Sequence, residues 1–270
     1  MNNENILSKI SKMSEEELID LAWNTSDVEI LNILAVNANY EVRCTVAESK
    51  NTPVELLAVL AKDEDYDVRT AVAANGNTPA NILTMLAKDK DGDVRIAVAN
   101  NRNTSVDVLV MLGSDKTWWV RSVVAGNINT PIELLSVLAQ DEHRFVRQTV
   151  AKNENTPKEA LAVLAQDKDG RVRSAVAGNI NTPIELLSVL AQDKHWLVRQ
   201  TVAKNENTPK ETLAVLADDC DLGVRQNVAG NKNTPKEALV KLAGDRDYGV
   251  RKAVVNNPNT SYNTLLMLSK

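Results

Sequence analysis

The sequence predicts an all-α protein, a solenoid of short two-helix repeats stacked in one array. Three observations carry this expectation. Asn-Thr-Pro or Asn-Thr-Ser begins at Asn51, Asn77, Asn103, Asn129, Asn155, Asn181, Asn207, Asn233 and Asn259, always 26 residues apart, with no insertion or deletion. A fixed period of this length marks a repeat architecture. Each copy also holds apolar residues at helical spacing, and a single helix pair cannot cover its own apolar face, so the copies must stack. Residues 129–154 and 181–206 differ only at Glu142/Lys194, Arg144/Trp196 and Phe145/Leu197, so a two-repeat block has been duplicated.

The chain divides in order. Residues 1–24 are expected to form an N-terminal helical cap, with a capping box in "SEEE" at Ser14–Glu17 opening a helix that ends near Trp23. Nine tandem repeats follow over 25–258, starting with a degenerate copy near Thr25. Residues 259–270 are a truncated repeat that stops after one helix, with its Leu265 and Leu268 stripe complete. All of it reads as a single continuous domain.

Within a repeat, "NTPVELLAVLAK" opens the first helix. Thr52 and Glu55 are placed for a capping box and Pro53 for the first helical position. Leu57, Leu60 and Ala61 make the i, i+3, i+4 stripe of a one-sided helix, flanked by Leu56 and Val59. The second helix follows "DED", with Asp65 as N-cap and Val68, Ala71 and Val72 as its buried side. Asn75 and Gly76 are expected to end it, since both tolerate a left-handed backbone.

The unit "NTPVELLAVLAKDEDYDVRTAVAANG" resembles the leucine-rich repeat variant family, through its L-x-x-L-A-x-D-x-D-x-x-V-R-x-A-V-A-x-N pattern. The likeness covers about 25–268. Its D-x-x-V-R-x-A core is also similar to HEAT-like repeats. The resemblance implies a right-handed superhelix of paired helices and allows a partly 3₁₀ second helix. Some members of that family carry a cysteine-rich iron–sulfur segment. This chain has only Cys44 and Cys220, far apart, so that property is not carried over, and no cofactor is expected.

Composition narrows the function classes. The chain has 270 residues, 43% apolar and 25% charged, with net charge −5. That acidic balance argues against a general nucleic-acid binder, which needs cations to neutralise phosphates. Two unpaired cysteines fit a reducing cytoplasm. The N-terminus has no uninterrupted apolar core like that of a signal peptide, and no apolar run nears the ~20 residues of a membrane span.

Nine copies of one unit separate frame from variable positions. Counting Asn51 as the first place, Leu recurs at the seventh and tenth, Asp at the thirteenth (Asp63 to Asp245) and Arg at the nineteenth (Arg43 to Arg251). Asn recurs at the twenty-fifth, as in Asn75. An Arg ladder could track anions, but each copy keeps an Asp as well, so pairing within or between repeats accounts for both. The Asn ladder reads as turn and cap chemistry. The sixteenth, seventeenth, twentieth and twenty-fourth places vary. Three of them are four residues apart and share one face of the second helix.

Seven of the nine aromatic residues occupy the sixteenth or seventeenth place: Tyr40, Tyr66, Trp118, Trp119, Phe145, Trp196 and Tyr248. "DKTWWVR" stands where sister copies have "DKDGDVR" or "DKDGRVR". Large rings at substitutable places suit binding anchors. They would equally suit lids over the next repeat, although Gly92, Gly170 and Arg144 at the same place weigh against an obligatory lid.

Candidate chemistry is sparse. His143 and His195 replace the capping Asp two repeats apart, too far to share a metal. The Asp-x-Asp loops lack the Gly and distal Glu of a calcium site. No G-x-S-x-G, H-E-x-x-H or phosphate loop occurs. The alternative to a binding scaffold is nucleic-acid binding or a HEAT-like DNA glycosylase, with Trp118, Trp119 and Trp196 acting beside Asp67 or Asp93. Against it, the twentieth place offers mostly uncharged residues (Thr70, Ile96, Ser122, Gln148, Ser174, Gln200, Gln226), with Lys252 alone charged. The sequence is therefore expected to encode a cytoplasmic, non-enzymatic scaffold for a protein or peptide. Its contact strip would be Tyr66, Trp118, Trp119, Arg144, Phe145, Trp196 and Tyr248, with no metal and no membrane. A monomer is expected, with end-to-end association the minor alternative.

Overall fold

The structure, a computed structural model, describes residues 3–268, with side chains from residue 7 onward. The described residues form 21 α-helices and no strand. The cap is α1 (Asn3–Ile10) and α2 (Glu15–Asn24). Seven-residue first helices then alternate with nine-residue second helices. The first helices are α3 (Val28–Leu34), α5 (Val54–Leu60), α7 (Ala80–Leu86), α9 (Val106–Leu112), α11 (Ile132–Leu138), α13 (Lys158–Leu164), α15 (Ile184–Leu190), α17 (Lys210–Leu216), α19 (Lys236–Leu242) and α21 (Tyr262–Leu268). The second helices are α4 (Tyr40–Glu48), α6 (Tyr66–Ala74), α8 (Gly92–Asn100), α10 (Trp118–Gly126), α12 (Arg144–Lys152), α14 (Gly170–Gly178), α16 (Trp196–Lys204), α18 (Leu222–Gly230) and α20 (Tyr248–Asn256). The second helices are α-helical over their described length, so the 3₁₀ geometry that the resemblance allows is not used.

The chain forms two compact units, Met1–Pro131 and Ile132–Lys270. In the first, α2, α4, α6, α8 and α10 pack side by side in chain order. In the second, α12, α14, α16, α18 and α20 do the same. Each unit is thus an α-solenoid of two-helix repeats. The interior of a repeat is Leu57, Leu60, Val68, Val72 and Ala73, each at most 1% exposed, and the same places are buried in the other copies over residues 25–232. Burying each such Leu contributes about 2 kcal/mol. Val59, on the flank of the stripe, is exposed. In α21, Leu265, Leu266 and Met267 are exposed although interior leucines at the seventh place are fully buried.

Helix ends follow the sequence in part. At α2, the Glu17 N–H donates to Ser14 Oγ at 3.3 Å and the Ser14 N–H donates to Glu17 Oε2 at 2.7 Å, the expected capping box. Asp65 caps α6 by accepting the Asp67 N–H at 2.8 Å. The capping box expected at Thr52 does not form. The helix starts one residue later, with Pro53 as its cap and no side-chain cap bond. The buried Thr52 hydroxyl instead donates to the Val46 carbonyl of the preceding helix. The Thr78 hydroxyl likewise donates to Val72 O at 2.6 Å, so this Thr closes the turn between repeats. The expected left-handed ending at Asn75 and Gly76 is also absent. No described residue has positive φ, and Asn75 is extended, with φ −65° and ψ 125°.

Candidate functional site

The second helices carry the candidate surface, held by two ladders. Arg69 of α6 donates from Nη1 to the Asp63 and Glu64 carbonyls of its own loop, at 2.8 and 3.0 Å. Its other donors reach the Asp89 carboxylate of the next repeat. The same pairing joins Arg43 to Asp63 and Arg95 to Asp115 in the first unit. In the second unit it joins Arg147 to Asp167, Arg173 to Asp193, Arg199 to Asp219 and Arg225 to Asp245. Burial pushes the Asp63 carboxyl up, but the Arg43 guanidinium and the Asp65 N–H outweigh it and hold it below its ordinary value. These arginines are spent on the frame.

The Asn ladder is a second joint. Asn75 Nδ2 donates to Ala47 O and Ser49 O of the preceding repeat at 2.7 and 3.1 Å, while its Oδ1 accepts the Asn77 N–H at 2.8 Å. Asn101 repeats this with Ala73 and Asn75. Buried carbonyls at each helix end thereby gain donors that the backbone does not supply.

With these ladders buried, the variable face points outward. Tyr66 is 43% exposed, Trp119 55%, Phe145 37%, Trp196 49% and Tyr248 68%, while Trp118 is half-buried. No aromatic residue is among the buried core. Trp118 and Trp119 lie with ring centroids 4.8 Å apart. The Arg144 guanidinium sits 4.7 Å from the Phe145 ring centroid and contacts Asp169 at 3.3 Å. His195 lies 6.0 Å from Trp196 in a stacked arrangement, and its Nδ1 accepts the Leu197 N–H at 3.2 Å, so it replaces the capping Asp in function. Among the described residues, no three His, Cys, Asp or Glu side chains stand close enough to share a metal ion. No described helix is long and apolar enough to cross a membrane.

Charge on this face differs between the units, which the chain's total conceals. Met1–Pro131 has 12 Lys/Arg and 19 Asp/Glu, net −7, and Ile132–Lys270 has 19 and 17, net +2. The variable places of the first unit carry Glu41, Glu48, Asp67 and Asp93, and no cation. Asp67, followed by burial and by Asp91 and Asp93, holds the Tyr66 phenol above its ordinary value. Those of the second unit carry Arg144, Lys152, Arg171, Lys204 and Lys252, and no acid. The expectation of a strip poor in cations is therefore wrong for the second unit. It rested on the twentieth place, whereas the cations stand mainly at the seventeenth and twenty-fourth, one turn to either side on the same face. Reading those two places by sign along the chain would have found them.

No protein-family model matches the chain, and no curated protein does. Among solved structures, one described as "a leucine-rich repeat variant with a novel repetitive protein structural motif" is 32% identical, covering 78% of this chain and 81% of its own, with a TM-score of 0.57. An engineered protein is 18% identical, covering 100% of both chains, with a TM-score of 0.44. The Escherichia coli protein YibA is 17% identical, covering 100% of this chain and 97% of its own, with a TM-score of 0.43. The 26-residue period, the buried Leu and Val stripes and the likeness to the first of these structures agree: the chain belongs to the leucine-rich repeat variant family.

Proposed function

We propose that this protein is a non-enzymatic scaffold that binds a protein or peptide through the aromatic side chains of its second helices. Tyr66, Trp118 and Trp119 serve in the first unit, and Arg144, Phe145, Trp196 and Tyr248 in the second. The observation that supports this reading is the separation of roles. Leu, Val and Ala fill the interior, while the rings stand at variable places, all but the half-buried Trp118 exposed, and none belongs to the buried core. Rings held on rigid helices lose little freedom on binding and bury large apolar areas, which is how interface anchors work.

The test is capture from a bacterial lysate by wild type and by a Trp118→Ala, Trp119→Ala, Trp196→Ala variant, with both melts recorded. The expected result is a partner held by wild type and lost by the variant at an unchanged melting temperature. A variant that melts far lower would make the rings lids and end the proposal.

A further inference from the structure

We propose that the second unit's variable face, between Phe145 and Trp196, is a docking groove for an extended acidic peptide. This inference rests on the binding role proposed above and names the chemistry of the partner. The groove exists because the middle repeat carries small residues where it runs, Ser174 and Gly178, while the space beside Gly170 is taken by the His195 ring. Its sixteenth and twenty-fourth places are Gly170 and Gly178, with Ser174 between them. Over α14 this leaves a hollow of about 470 Å³, lined by Gln148, Lys152, Arg171, Ser174, Gly178 and Thr201 among others. It adjoins, through Gly178 and Thr201, a second hollow of about 390 Å³ reached by Lys204.

Three exposed cations, Lys152, Arg171 and Lys204, surround this floor, and none of them makes an ion pair among the described residues. No acid lines the first hollow, and Glu206 is the one acid lining the second. The N-cap place holds His143 and His195 in the flanking repeats where most copies have Asp. The Asp169 cap between them is engaged by the Arg171 N–H at 2.8 Å and by Arg144. Glu206, beyond the helix ends, pairs with Lys232. The matching hollow in the first unit, about 490 Å³ along Thr70, Ile96 and Asn100, has Asp93 as its only charged lining residue. Hydroxyl and amide groups on the floor suit the amides of an extended backbone, and the cations suit its carboxylates.

The rings decide against nucleic acid. Phe145 on α12 and Trp196 on α16 are two helix layers apart, about 16–20 Å at the usual spacing of packed helices. Successive bases stack far closer than that, so two such rings cannot take neighbouring nucleotides. A peptide strand at about 3.3 Å per residue bridges the same gap with roughly five or six residues. The partner is thus an acidic strand with apolar residues spaced about that far apart, one against each ring.

The test uses a fluorescent peptide of about ten residues with two leucines spaced to match. Its intervening residues are Asp/Glu, Asn/Gln or Lys in three versions, and oligothymidylate is a fourth probe. Anisotropy against the full chain is expected to rank the acidic peptide about tenfold or more above the neutral one, and the Lys version last. Lys152→Glu with Arg171→Glu should abolish that preference. Lys158→Glu with Lys210→Glu, the same charge change on exposed residues of α13 and α17 away from the groove, should leave it. Equal binding of acidic and neutral peptides that still depends on Trp196 overturns this inference while sparing the binding role. No binding of any peptide overturns both. Tighter binding of oligothymidylate makes the surface a nucleic-acid site. A salt-sensitive dimer, seen by sedimentation without peptide and lost in the double variant, gives the groove to a second copy.

Discussion

Arg69 donates from Nε and Nη2 to the two carboxylate oxygens of Asp89, twenty residues on, at 2.6 and 3.0 Å. The two side chains are about 90% buried. The forked guanidinium thus clamps the next repeat while Nη1 ties down its own loop. Neither half has another partner of the same kind. Asp89→Asn should therefore destabilise the first unit by about 3 kcal/mol, because it leaves a buried guanidinium without its anion. Urea unfolding followed by circular dichroism measures this, and a loss under about 1 kcal/mol would show the clamp to be incidental.

The same ladder sets the acid limit. Asp63, Asp89, Asp115, Asp193, Asp219 and Asp245 all lie below the ordinary carboxyl value of 3.8. For Asp89, burial raises the value, and the Arg69 hydrogen bond and the Asp91 N–H more than reverse it. Groups depressed by folding stabilise the fold above their unfolded values, and that stabilisation is lost as pH falls through the folded ones. The urea midpoint should be flat from about pH 7 to 5 and fall steeply below about 4. Asp89→Asn should shallow that fall.

Gly92 and Gly170 share a place in the repeat but not a neighbourhood. A Cβ on Gly92 would meet only Arg95 Nη2, at 4.0 Å, while one on Gly170 would lie 2.9 Å from His195 Cδ2. Gly92→Ala should add about 0.5–1 kcal/mol of stability. Gly170→Ala should add none in wild type and recover that gain in a His195→Ala background, a coupling that a double-mutant cycle reads directly. Equal effects at both glycines would refute the contact.

Cys44 and Cys220 should differ in reactivity. Burial, and then the carboxylates of Asp67, Asp65, Glu48 and Asp63, push the Cys44 thiol up to about 12. Cys220 is exposed. Since the thiolate is the nucleophile, alkylation at pH 8 should label Cys220 at least about a hundredfold faster. Mass spectrometry of a timed iodoacetamide reaction decides it, and comparable rates would place Cys44 outside that acidic setting.

Much of this molecule was legible in the sequence, because a repeat states each local rule nine times. Leu57, Leu60, Val68 and Val72 announced the buried stripes, Asp65 the cap and Arg69 a partner of Asp type. The failures were at joints. Thr52 looked like a cap because Thr-x-x-Glu is a local pattern, yet the hydroxyl found a better acceptor in Val46 O of the helix before it. Asn75 does cap its helix and close the turn, its Oδ1 accepting the Asn77 N–H, but without the left-handed backbone. Its amide also reaches back to Ala47 and Ser49.

By itself, the sequence determined the period, the class of each helix and the positions left free to vary, since hydrophobic spacing and capping are local in origin. Tertiary structure alone decided which side chains cross from one repeat to the next, because those bonds join residues 20 to 28 apart. Stacking also decided that charges on neighbouring helices, Lys152 of α12 and Arg171 of α14, border one hollow. Packing second helices side by side brought Gly178, Lys152 and Arg171, from neighbouring repeats, around that hollow.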